Sequence, residues 1–173
     1  MDLCAGTDAC RILPDGCTEP LSGEAAGLCD LKSQPVIAAP GIDAETLADL
    51  GDRCRTTGTT LVTGRLRKHL VGIDIGLTMA DYGIADTGTL VVDSTSEDLR
   101  LATMVCDTHV VLLPVSRICR TSEELAPDLA RMMARPASYT AFITGASRTA
   151  DIERVLALGV HGPLTLHILI VEP

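Results

Sequence analysis

The sequence holds no tryptophan, two tyrosines and one phenylalanine. So few rings exclude a base-stacking platform for nucleic acid, and the core must be aliphatic. Positive charge is scarce too: 14 Lys and Arg stand against 23 Asp and Glu, a net charge of −9 at pH 7. Phosphate backbones and anionic membrane surfaces repel such a chain, so no nucleic acid is expected as a partner. The one basic cluster, Arg65–His69, is too short for a nucleic-acid groove and reads as a solvated loop or a contact for an acidic partner. None of the seven cysteines forms a Cys-x-x-Cys pair. Neither a zinc knuckle nor a common iron–sulfur spacing is written, and the thiols of Cys4, Cys10, Cys17, Cys29, Cys54, Cys106 and Cys119 read as unpaired in a reducing compartment, with no metal site. The start, Met1-Asp2-Leu3-Cys4, is acidic and no long apolar run follows it, so no secretory signal is expected. The longest apolar stretch, Val160–Val171, is broken by His161, Gly162, Pro163 and His167. No membrane insertion is expected from it, and the chain is read as cytoplasmic.

What is present suits one folded domain. At 173 residues and 46% hydrophobic content, the chain is long enough to bury about 68–70% of its unfolded surface. Residues 1–34 carry Gly6, Pro14, Gly16, Pro20, Gly23 and Gly27 without apolar periodicity, which predicts a loop-rich arm. From residue 35 to 173 short apolar runs alternate with amphipathic segments. Val36–Ala39 is a strand candidate, and Asp43 can cap a helix with Leu47, Leu50 and Cys54 on one face, ended by Gly58. Further strands are predicted over Thr59–Val62, Leu70–Ile75, Thr89–Val92, His109–Val115, Tyr139–Thr144 and Leu164–Val171. Two more helices are predicted, one starting at Pro127 and running to about Ala134, the other over Thr149–Leu158. Fully apolar strands alternating with helices imply an α/β domain whose sheet is covered on both faces.

Two segments are more specific than a fold requires. One runs from Ile73 through Asp74-Ile75-Gly76 and Ala85-Asp86-Thr87-Gly88-Thr89 to Leu90. The other is Thr144-Gly145-Ala146-Ser147-Arg148-Thr149-Ala150-Asp151-Ile152-Glu153, followed by Gly159-Val160-His161-Gly162-Pro163. Together they resemble the LUD-domain family, the lactate-utilisation proteins of the LutC/YkgG type, over about Gly72 to Val171. The family usually has Pro where this chain has Ala146, and often Glu where it has Asp86. The resemblance implies a three-layer, Rossmann-like α/β sheet similar to the NagB/RpiA/CoA-transferase-like fold. It also implies a component of a system oxidising L-lactate to pyruvate together with iron–sulfur partner proteins.

The residues themselves suggest an anion site. Predicted to follow a strand and open a helix, the second segment offers Gly145 for close backbone approach, hydroxyls on Ser147 and Thr149, and the Arg148 guanidinium for a small carboxylate or phosphate. The same residues equally suit a capped helix in which Arg148 pairs with Asp151. The Asp86-Thr87-Gly88-Thr89 stretch reads as a tight turn with Gly88 at positive φ. In CoA-transferases of the similar fold a carboxylate followed closely by glycine is the nucleophile, which makes Asp86 a catalytic candidate by analogy. His161, in the turn before the last strand, and His109, opening an apolar strand, are candidate general bases. Turns after strands gather at one edge of an α/β sheet, so Asp86–Thr89, Gly145–Thr149 and His161–Gly162 are expected to line one cleft. No G-x-G-x-x-G fingerprint is present, and no cofactor is named. Besides the lactate system, two readings stay open: a stand-alone acyl/CoA-transferase- or sugar-phosphate-isomerase-like enzyme, and a small-anion-binding regulatory module.

Overall fold

The computed structural model describes residues 34–69, 72–150, 156–158 and 161–172. The expected arm lies outside them, as do Cys4, Cys10, Cys17 and Cys29.

Strand β1 (Val36–Ala38) leads to helix α1 (Ala44–Thr57) and strand β2 (Thr60–Val62). A 3-10 turn over Leu66–His69 precedes β3 (Ile73–Met79), β4 (Tyr82–Ile84) and β5 (Thr89–Asp93). Then come α2 (Glu97–Met104), β6 (Cys106–Pro114), β7 (Ile118–Cys119) and α3 (Ser122–Met133). The described chain finishes with β8 (Thr140–Ile143), β9 (Arg148–Ala150), β10 (Leu156–Leu158) and β11 (Thr165–Val171).

Five strands form a wholly parallel sheet in the order β11-β6-β3-β1-β2. The expected α/β class is therefore observed. Helix α1 covers one face, where Cys54 and the half-buried Leu50 pack on Ile37, Ile75 and Val110. Helix α2 covers the other, with Ala102 against Ala38, Ile73 and Cys106. Asp74, buried in β3, accepts the Val36 N–H at 2.6 Å and ties β3 to the start of β1.

A second sheet, order β7-β4-β5-β8, was not anticipated from the sequence. It sends Leu90 and Val92 down onto Val111 and Leu113 of the parallel sheet, while Val91 faces Leu125 and Met132 of α3. The first four residues of β5, Thr89 to Val92, are thus buried, so the strand is covered on both faces. No helix among the described residues is long and apolar enough to cross a membrane.

Local signals placed α1 well. The Asp43 side chain accepts the Thr46 N–H at 2.9 Å and the Thr46 hydroxyl at 2.7 Å, and Gly58 terminates the helix at φ +69°. Asp43→Ala should cost about 1 kcal/mol, seen as a melting temperature lowered by about 2–4 °C.

Two helix expectations are corrected. Helix α3 starts at Ser122, with the Thr121 hydroxyl accepting from the Glu124 N–H, and Pro127 lies inside it. The Thr121 cap starts the helix six residues before Pro127, and burial of Leu125 and Met132 against Ile84 and Val91 offsets the hydrogen bond to the Glu123 carbonyl that the proline cannot donate. The helix expected over Thr149–Leu158 is absent from its described ends: Arg148–Ala150 and Leu156–Leu158 pair as an antiparallel ribbon. Its few apolar positions fit either period, and the cross-strand ladder decides between them.

Candidate functional site

The end of β8 lies beside the start of β5, because the two strands are antiparallel with Leu90 opposite Ile143. This pairing brings two of the sequence-predicted loops together. Thr87 Oγ1 lies 2.7 Å from Thr89 Oγ1, which lies 2.7 Å from Thr144 Oγ1, a hydroxyl chain joining the Asp86–Thr89 turn to the loop after β8. Gly88 and Gly145 sit at φ +63° and +99°, so both turns use the left-handed region that the sequence assigned to glycine. The third loop joins where the Ser147 N–H donates to Pro163 O at 2.9 Å. Gly162 packs so closely there that a Cβ would stand 3.2 Å from the Ser147 Cβ.

Beneath the Gly145–Ala146 turn lies a cavity of about 190 Å³. Helix α2 supplies Arg100, Thr103 and Met104 to its wall; β6 supplies His109, and β8 supplies Ala141 and Ile143. Pro163 and Leu166 close it on the β11 side, with Ser94 and Tyr139 opposite. It sits toward the amino-terminal ends of β6 and β11. The expectation of a cleft at the carboxyl edge of the parallel sheet is thus displaced by the second sheet, whose antiparallel pairing gathers the loops instead.

Arg100 is held in place. Its Nη1 donates to Ser94 O at 2.8 Å and Thr95 O at 2.9 Å, and its guanidinium lies 5.5 Å above the Tyr139 ring. Tyr139 is braced in turn by the Ser94 N–H donating to its carbonyl at 2.8 Å. His109 is 1% exposed, with Nε2 2.8 Å from the Thr78 hydroxyl. Burial pushes its pKa down to about 4, so the imidazole is neutral at neutral pH. Burial likewise pushes the Cys106 thiol up to about 12, which removes it as a nucleophile near pH 7.

The sequence-predicted catalytic pair lies outside this cavity. Asp86 is half-exposed, its carboxylate 3.9 Å from Arg120 Nε, and its N–H donates to Arg120 O. His161 and Arg148 are exposed, and neither is among the lining residues. Thr87 and Gly88 are exposed in the turn, Thr89 is buried beneath it, and the Thr149 side chain lies outside the described residues. Asp151, the alternative partner of Arg148, lies outside them as well. Of the lining residues, Gly145 and His109 are legible in the sequence, and Arg100, Thr103 and Tyr139 are not. Arg100 carries no motif, being one polar position on an ordinary amphipathic helix. Among the described residues no three His, Cys, Asp or Glu side chains stand together as a metal site.

The LUD domain family matches residues 22–171. Lactate utilization protein C of Halalkalibacterium halodurans is 34% identical over 111 residues, covering 62% of this chain and 48% of that protein. The protein of the same name from Bacillus subtilis (strain 168) is 30% identical over 95 residues, covering 53% of this chain and 39% of that one. The chain thus spans less than half the length of these curated relatives. A crystal structure of a DUF162 family protein from Deinococcus radiodurans overlaps 89% of this chain and 100% of its own, at 17% identity and a TM-score of 0.44.

Proposed function

The chain belongs to the LUD domain family, and from that premise we propose that it is a small-molecule-binding component of a system oxidising L-lactate to pyruvate with iron–sulfur partner proteins. The relatives named lactate utilization protein C support the pathway. One observation carries the role within it: the Gly145–Ala146 turn and Pro163, drawn together by the Ser147 N–H on Pro163 O, cover a cavity of about 190 Å³. At roughly 30 Å³ for each water-sized group, that space admits a ligand of about six heavy atoms, the size of lactate or pyruvate. Gly145, Ala146 and Pro163 form that cover, and the Thr89–Thr144 hydroxyl contact ties the Thr87–Thr89 turn to it. The redox step itself is assigned to the partners.

Affinity purification of the chain from its native cell, kept anaerobic throughout, tests this reading. Proteins carrying iron–sulfur clusters should come down with it, recognised by stoichiometric iron and visible absorbance. Recovery of the chain alone, under anaerobic and aerobic conditions alike, would overturn the assignment.

A further inference from the structure

We infer that the cavity selects a short aliphatic monocarboxylate, anchored by Arg100, whose guanidinium is pre-aimed by the Ser94 and Thr95 carbonyls and the Tyr139 ring. This deepens the proposed function and rests on its placement of the site in the cavity.

The donor inventory is the first ground. A guanidinium has five N–H groups, and Nη1 spends both of its hydrogens on Ser94 O and Thr95 O. Nε–H and the two Nη2 hydrogens have no acceptor among the described residues. That is the edge which grips a carboxylate with two parallel hydrogen bonds. Arg100 has no Asp or Glu within ion-pair reach among the described residues; Arg53, Arg65, Arg117 and Arg148 share that, but they are exposed and none of them lines this cavity except Arg100 itself. An immobilised cation without a carboxylate, in a chain of net charge −9, is suited to receive one from a ligand.

The rest of the wall defines the body of that ligand. Met104, Ala141, Ile143 and Leu166 are apolar. Of the three hydroxyl side chains, those of Thr103 and Ser94 have already donated their hydrogens, Thr103 to Arg100 O at 2.9 Å and Ser94 to Tyr139 O at 3.1 Å, which leaves the Tyr139 phenol. A polyol or sugar phosphate would bury hydroxyls with few partners there, at the cost of an unmet hydrogen bond for each. A methyl or ethyl group would instead cover aliphatic wall. Charge agrees with this: one guanidinium beside a neutral imidazole balances a monoanion and leaves a phosphate dianion half compensated. The volume of about 190 Å³ suits a small acid.

Calorimetric titration of the full chain with pyruvate, 2-oxobutyrate, glycerate and glycerol 3-phosphate tests the inference. Pyruvate and 2-oxobutyrate should bind saturably, and glycerate and glycerol 3-phosphate at least tenfold more weakly. Arg100→Gln should raise the Kd for pyruvate about tenfold to a hundredfold, whereas Arg131→Gln on α3 should leave it unchanged. Because Arg100 also braces two carbonyls, Ala141→Met keeps the arginine and fills the cavity; it should abolish binding while the melting curve stays cooperative. Tighter binding of glycerol 3-phosphate than of pyruvate overturns the ligand class and leaves the cavity standing as the site. Pyruvate binding that survives both Arg100→Gln and Ala141→Met overturns the cavity itself, and with it the site of the proposed function. Saturable binding of none of the four probes does the same.

Discussion

Gly76→Ala should destabilise the protein by about 3 kcal/mol or more, the top of the usual range for overpacking. A Cβ at this position would stand 2.0 Å from the Ala102 carbonyl oxygen and 2.9 Å from both the Ala102 carbonyl carbon and Cys106 Sγ. The first obstacle is helix backbone, which cannot rotate away as a side chain can. Only a shift of the whole of α2 off β3 relieves the clash, and that shift also opens the Ala38–Ile73–Ala102–Cys106 cluster. The melting temperature should fall by about 6–12 °C. Gly88→Ala provides the contrast: it has open space around it but sits at φ +63°, and should cost only about 1 kcal/mol. Because α2 carries Arg100, Thr103 and Met104, any Gly76→Ala protein that does fold should also show weakened ligand binding. A melt within 2 °C of the parent protein would show that α2 does not bear on β3 as described.

The second large effect is a loss of stability in mild acid through His109. Its folded pKa lies near 4, pushed down by burial, against about 6.5 in the unfolded chain. Between those values the unfolded state binds the proton and the folded state does not, so stability falls as pH falls. The contribution is complete above about pH 6.5 and is lost progressively toward pH 4. At pH 5 the loss should be about 2 kcal/mol. Urea unfolding at pH 7.5 and pH 5, with His109→Gln as the comparison, isolates it from titrating carboxylates. Glutamine keeps a polar group near the Thr78 hydroxyl but takes up no proton. The two proteins should differ in how much stability they lose over that interval. Equal losses would mean that His109 is solvated enough to charge in place.

Sequence reading succeeded where the deciding contacts lie a few residues apart. Asp43 reaches Thr46, and Gly58 closes the same helix with its N–H on Cys54 O. Gly88 makes the predicted turn, with its N–H 3.3 Å from Ala85 O. The apolar run from His109 marked a central strand, since a strand buried on both faces must be apolar throughout. It failed where two local patterns competed. Thr121 and Pro127 both announce a helix start, and only the packing of Leu125 under the second sheet shows that α3 begins at the first. Arg148–Ala150 became a strand because Leu156–Leu158 lies beside it.

By itself, then, the sequence determined the family, the α/β class, the caps and the glycine turns, all properties of adjacent residues or of short motifs. Tertiary structure alone decided the site. The second sheet runs β5 and β8 antiparallel, so Thr89 meets Thr144 across a gap of 55 residues. The parallel β6–β11 pairing then carries His109 and Leu166 to the same wall. Arg100 enters because α2, lying close over Gly76, turns one polar face toward that wall. No short-range pattern encodes which strands become neighbours. That is set by which apolar faces bury each other, and a cavity is what remains where those faces stop short of meeting.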